Sequence, residues 1–210
     1  VGFYDSNPEA AKNISEEFGY RSYKTMESLI EDCDMVDVVT PTLYHSDCAK
    51  KVLNAGKHLF IEKPISNSLE RMKELLKIVK QKKLITMVGC NMRFHDGIKS
   101  IKKLLDKNEL GQIFSVVVEN GSYMPDWHPG EDYQISYASN KKMGGGVVLT
   151  QIHEIDYLFW FFGKVSNVLS ISDKLSDLQL DVEDFSSSIL KFKNNIVAEI
   201  HLDYYQKPSV

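Results

Sequence analysis

The stretch "HLFIEKPIS", His58 to Ser66, sets a carboxylate, an ammonium and a proline directly behind an apolar run. His58 to Ile61 read as a short buried strand, so Glu62 and Lys63 emerge where that strand ends. A lysine rising from an apolar floor is partly desolvated, which favours its neutral form and equips it to donate or relay a proton near neutral pH. Glu62 is placed to hold it. Pro64 keeps the preceding residue away from helical angles and fixes the chain direction. Taken alone, the same pair also reads as a surface ion pair beside a turn. Two further positions have this character. Asp5 closes the run "VGFYD", and Thr40-Pro41 close "MVDVV". A strand-end acid can accept hydrogen bonds from a ribose diol when a glycine-rich turn precedes it by about 20 residues. Asp5 equally suits a turn that caps the next helix. A fourth candidate is the loop from Met124 to Met143, where Asp126, Trp127, His128, Tyr133 and Tyr137 mix aromatic faces with hydrogen-bonding tips. Such mixtures suit sugar rings, whose C–H faces stack while their hydroxyls need partners. The same aromatics also read as side chains packing on the domain.

The elements around these residues alternate. Asn7 and Pro8 start a helix with Ala11, Ile14 and Phe18 at helical spacing, and Gly19 ends it. A short helix is expected from about Met26, then the strand "MVDVV", then a helix with Ala49, Val52 and Leu53 inward and Gly56 at its end. After "HLFI", Asn67 and Glu70 resemble a capping box for a longer helix with a stripe of Leu69, Met72, Leu75, Leu76 and Val79. "LITMVG" is the next strand. Short strands without alternation, joined by helices, predict a parallel sheet covered on both faces, with ligands beyond the carboxyl ends of its strands. That is where Asp5, Thr40-Pro41 and Glu62-Lys63 fall. In such a sheet the strand and glycine turn before Asp5 form the centre. Their absence predicts that about 25–35 residues are missing upstream.

After Arg93 the rhythm changes. A helix is expected over about 97–107, then the strand "QIFSVVVENGSY" and the polar loop. Gly144 to Gly146 lead into one apolar helix ending near Gly163, in which Trp160 and its phenylalanines read as core. "VSNVLSISDKL", "VEDFSSSILKF" and "NIVAEIHLDYY" read as strands, the last two joined by a turn at "KNN". Strands in series predict an antiparallel or mixed sheet. The domain boundary is expected near residues 91–93.

The totals exclude several classes. Apolar residues make up 43% and charged residues 26%, with a net charge of −4 and no basic run, which argues against nucleic acid as a partner. No apolar stretch approaches the roughly 18 residues of a membrane helix. Cys33, Cys48 and Cys90 are odd in number and widely spaced, so neither disulfides nor a metal site is expected, and a reducing, cytoplasmic setting fits. No signal-peptide core opens the sequence.

"TPTLYH", "AGKHLFIEKP", "VGCNMRF" and "GGG" leading to "HEIDYLFWFFG" occur in that order, and together they resemble the Gfo/Idh/MocA family. The resemblance runs over nearly the whole chain, and "GKH…EKP" is its strongest part. It implies an α/β protein cut at both ends. A partial Rossmann dinucleotide-binding domain would span 1–92. A partial α+β substrate and oligomerisation domain with an open, largely antiparallel sheet would span 93–210. It implies a nicotinamide-dependent oxidoreductase acting on a sugar, nucleotide sugar or cyclitol, and a homodimer or homotetramer formed through the C-terminal sheet. Thr40, Pro41 and His45 would line the cofactor, although members more often carry Asn at the position of Thr42. Glu62 and Lys63 would lie at the nicotinamide ribose, with Lys63 reaching the substrate hydroxyl. Asn91 would flank the nicotinamide and Arg93 the substrate. His153 would be the general base, sharing proton transfer with Lys63. Many members carry an aspartate one turn before that histidine, where this chain has Leu149 and Thr150. Asp156, on the same helical face as His153, would support the imidazole or bind a sugar hydroxyl. Trp127 and His128 would contact substrate. Asp5 favours NAD over NADP, because a carboxylate repels the 2′-phosphate. No metal is required. Three rivals remain: a glycoside hydrolase using tightly held NAD, a non-catalytic dinucleotide sensor, and a reductase of a tetrapyrrole or imine. The polar loop around Trp127 speaks against the last.

Overall fold

The computed structural model describes residues 2–210. The chain divides into two compact units, one comprising Val1–Thr40 and Tyr44–Val88, the other Pro41–Leu43 and Gly89–Val210.

The first unit alternates strand and helix: β1 Gly2–Phe3, α1 Pro8–Phe18, β2 Arg21–Ser22, α2 Met26–Glu31, β3 Met35–Val38, α3 Thr42–Asn54, β4 His58–Ile61, α4 Met72–Lys82 and β5 Thr86–Val88. The helix ends follow local chemistry. The Asn7 side chain accepts the N–H groups of Glu9 and Ala10 at the start of α1, and Gly19 closes it at φ 70°. In β3 and β4, alternate residues turn inward, so Val36, Val38, Leu59 and Ile61 are buried against Val52 and Leu53 of α3. Each such side chain contributes about 1.5–3 kcal/mol when fully buried. All strand pairs in this unit are parallel, in two sheets, β1–β2 and β3–β4–β5.

One expected helix start moves. α4 begins at Met72, not at Asn67, and no side chain caps it. Two serines take the local hydrogen bonds instead: Ser66 Oγ accepts the Ser68 N–H, and Ser68 Oγ accepts the Glu70 N–H. Such side-chain turns compete with helix formation. Leu69 is therefore 87% exposed and Leu76 is also exposed, while Leu75 is the buried member of the stripe.

The second unit opens with a 3-10 turn at Asn91–Phe94, followed by α5 Asp96–Asp106, β6 Ser115–Gly121 and a loop of short 3-10 turns. Next come α6 Val147–Thr150, α7 His153–Phe162, β7 Val165–Asp173, β8 Phe185–Phe192 and β9 Val197–Asp203. Its sheet has the order β6–β9–β8–β7. β7–β8 and β8–β9 are antiparallel, and β6 runs parallel to β9. Asn195, at φ 69°, makes the turn of the β8–β9 hairpin. The inward faces of β8 and β9 supply Leu190, Phe192, Ile200 and Leu202 to a core shared with Val147 and Leu158.

The single apolar helix expected after Gly146 is two helices. Gln151 leaves helical geometry at φ −96°, ψ 39°, and its side-chain amide donates to the Asp203 carbonyl. The break makes His153 the first residue of α7.

Candidate functional site

In the first unit the register sets Val38 level with Ile61, and Ile61 level with Val88. β3 and β4 therefore release Thr40-Pro41 and Glu62-Lys63 at the same edge of the sheet. The Glu62 N–H donates to the Val38 carbonyl at 3.0 Å, extending the ladder to the turn itself. Glu62 Oε2 accepts the Lys63 backbone N–H at 3.2 Å, so the carboxylate folds back onto the peptide that carries the ammonium. Both side chains are half-buried. Burial and the neighbouring Glu62 charge push the Asp37 carboxyl up.

His45 lies beneath this edge. It is 1% exposed, with Nε2 2.7 Å from the Thr40 carbonyl and Nδ1 2.7 Å from the Pro64 carbonyl. The resemblance places it against a cofactor, but both ring nitrogens face the protein's own backbone. Asp5 is exposed at the end of β1, and its Oδ1 accepts the Asn7 N–H at 2.7 Å. That is the turn geometry. The donor set at the carboxyl edge suits a dinucleotide: carboxylates that accept ribose hydroxyls, an ammonium, and an exposed threonine beside an apolar floor.

In the second unit the resemblance assigns substrate contacts to Arg93 and Asp156, and the structure joins these residues to each other. Arg93 Nε donates to Asp156 Oδ2 and Nη2 to Oδ1, both at 2.7 Å. The fork ties the 3-10 turn after Gly89 to α7, and the guanidinium lies 5.7 Å from the Trp160 ring centroid. The pairing raises the Arg93 pKa further. Asp156 therefore braces α7 from Arg93's side, and both its oxygens are engaged. Asp156→Ala should lower stability by about 1–3 kcal/mol, because it leaves a half-buried guanidinium unpaired. Arg93→Ala should do the same, and urea unfolding of the double variant should show less than the sum. Additive losses would mean that the two do not act as a pair.

His153 starts α7 half-buried. Its neighbour Glu154 is buried and accepts from Asn120 Nδ2 at 2.8 Å. Burial, then the Glu154 charge, push the Tyr157 phenol up. Burial also raises the Tyr204 phenol, against an opposing hydrogen bond with Thr150. Sequence reasoning passed over Glu154, Asn120 and Tyr204. Only Glu154 offered a signal, as a charge inside an apolar helix.

Trp127 is half-buried. Its indole N–H donates to Ser122 Oγ at 2.9 Å, and its ring meets Tyr204 edge-on at 5.1 Å. It braces the loop from below, whereas His128 is exposed. Tyr133 also supports the loop, accepting the Gln179 N–H. Asn91 is exposed on its 3-10 turn. Gly146 has φ 109°, where other residues are strained, and a Cβ on Gly145 would collide with the backbone carbonyls of Tyr137 and Ala138. The glycine run is thus required for α6 to begin where it does. A groove of about 440 Å³ between α5, β6 and α7 is lined by Ile98, Ile101, Val117, Tyr157 and Phe161, and holds none of the candidate residues. Among the described residues there is no cluster of His, Cys, Asp and Glu able to hold a metal.

A parallel sheet with charged groups at its carboxyl edge, followed by a mixed sheet under a glycine-started helix, defines the class. The chain belongs to the Gfo/Idh/MocA oxidoreductase family. Residues 1–90 match the model described as "Oxidoreductase family, NAD-binding Rossmann fold", and residues 98–209 match "GFO/IDH/MocA C-terminal domain". Levoglucosan dehydrogenase of Pseudarthrobacter phenanthrenivorans is 29% identical, over 93% of this chain and 56% of that enzyme. Inositol 2-dehydrogenase of Rhizobium meliloti is 31% identical, over 78% of this chain and 47% of that enzyme. The solved WlbA dehydrogenase from Bordetella pertussis, in complex with NADH and UDP-GlcNAcA, aligns with a TM-score of 0.89 at 23% identity, over 100% of this chain and 60% of that one, a likeness of fold. The chain thus spans about half to three fifths of these relatives.

Proposed function

We propose that the protein carrying this chain is an NAD-dependent oxidoreductase of a sugar, nucleotide sugar or cyclitol. The observation that carries the reading is the half-buried Glu62-Lys63 pair at the carboxyl edge of the parallel sheet, in a chain of this family. The nicotinamide, when bound, exchanges hydride with a carbinol or carbonyl carbon of the substrate. Thr40, Pro41 and Glu62 hold the cofactor, and Asn91 borders it. Lys63 and His153 move the proton of the substrate oxygen. Relatives named for levoglucosan and inositol support a polyhydroxylated ring as substrate. Three cysteines outside any disulfide suit the cytoplasm. Val117, Glu199, Ile189 and Leu169 lie in one row across the exposed face of the mixed sheet, with Ile171 beside Leu169; apolar residues on both sides of the one carboxylate support self-association through that face.

The test is a screen of sugars, nucleotide sugars and cyclitols with the whole protein, following nicotinamide absorbance. Substrate-dependent NADH formation or consumption is expected. Release of free sugar from glycosides without net absorbance change would replace this reading with a hydrolase. NADH binding without turnover on any compound would replace it with a sensor. The same assay checks the cofactor. NAD should be preferred over NADP, and Asp5→Ser should narrow that preference about tenfold, the effect of one hydrogen bond to a charged group. Better use of NADP by the unaltered protein would refute the role of Asp5.

A further inference from the structure

We infer that His45 is a positioning residue, whose Nδ1 pins the Pro64 carbonyl, just past Lys63, to the start of α3. It holds the Glu62-Lys63 turn in the geometry the cofactor requires. The inference rests on the reading of Glu62 and Lys63 as cofactor-side residues.

The geometry leaves His45 no other task. The ring is 1% exposed and both nitrogens are 2.7 Å from backbone carbonyls. A neutral imidazole carries one N–H and an imidazolium two, so every protonation form keeps at least one of these bonds. Neither nitrogen is left for a ligand. Burying a histidine in an apolar core is unfavourable unless it is hydrogen-bonded, and an aliphatic side chain would fill the space without that penalty. What the imidazole adds is a fixed link between the start of α3 and the segment that follows Lys63. The Lys63 backbone is then bounded on both sides: the Glu62 N–H is tied to the Val38 carbonyl, and the Pro64 carbonyl to His45. A second tie lies alongside, where the hydroxyls of Ser46 and Ser66 meet at 2.9 Å. The first turns of α3 are therefore joined twice to the segment that follows Lys63.

The two bonds can be separated by substitution. An asparagine amide nitrogen takes the place of Nδ1, and a glutamine amide nitrogen the place of Nε2. His45→Asn keeps the tie to Pro64, and His45→Gln keeps only the tie to Thr40. NADH titration by fluorescence, with the whole protein, reads the effect. His45→Ala and His45→Gln should weaken NADH binding about tenfold, the loss expected for one hydrogen bond that orders a charged turn. His45→Asn should remain within about twofold of the unaltered protein. In a Lys63→Ala background, His45→Ala should add little, because the turn it positions has lost its charged group. If Asn and Gln variants are equally impaired, or if the His45 loss is as large without Lys63 as with it, the inference fails. If His45→Ala does not fold, the Asn and Gln variants decide alone. Failure of the unaltered protein to bind NADH would instead overturn the functional reading itself.

Discussion

Replacing Lys63 with Ala, or His153 with Ala, should each lower turnover by about 100-fold or more, the usual contribution of a positioned proton-transfer group. The two residues belong to different units and different kinds of element, a strand end and a helix start. Their losses should nevertheless be non-additive, because groups serving one proton transfer act as a unit. NADH affinity separates them: Lys63→Ala should weaken it, whereas His153→Ala should leave it near normal. Steady-state kinetics on the best substrate, with NADH titration alongside, decide the assignment. Near-normal turnover in His153→Ala would leave Lys63 as the sole carrier of the proton.

The second large effect is on stability. Phe192 on β8 is 0% exposed, and its ring meets Phe162 at the end of α7 edge-on at 5.5 Å. Phe192→Ala removes that contact and opens a cavity under the helix that presents His153, so unfolding free energy should fall by about 3–5 kcal/mol. Urea unfolding measures this directly. A loss below about 1 kcal/mol would mean that the sheet collapses around the gap and that α7 is held by other contacts.

What the sequence revealed and what it hid divide along physical lines. Asn7, Pro8 and Gly19 bound α1 as expected, because caps are local chemistry. The strands β3 and β4 were legible from composition, but not their alternating burial, which leaves Met35 and Asp37 exposed on one face of β3. The start of α4 was not, since Asn67 and Glu70 present a capping pattern that the neighbouring serines defeat. The break at Gln151 depends on the Asp203 carbonyl, 52 residues later. The Arg93–Asp156 fork spans 63 residues. In both cases residue types announced polar chemistry, but only the fold chose the partner. His45 shows the same limit. Its place after "TP" suggested a ligand contact, and only burial reveals that both nitrogens face the backbone. Trp127 had the composition of a sugar platform, yet Ser122 takes its polar tip and Tyr204 packs against its ring.

The parallel pairing of β6 with β9 also bears on synthesis. Ser115 meets Val197, a partner that leaves the ribosome about 80 residues later. The hairpin of β8 and β9 closes over a short turn, but β6 must wait for it with Val116 and Val118 uncovered. At about 5–20 residues per second the interval is roughly 4 to 16 seconds. Through that time a strand with three consecutive valines stands unpaired, a template for association with other nascent chains. Glu119 and Asn120, immediately after the valines, interrupt the apolar pattern where the unpaired strand would otherwise be most adhesive.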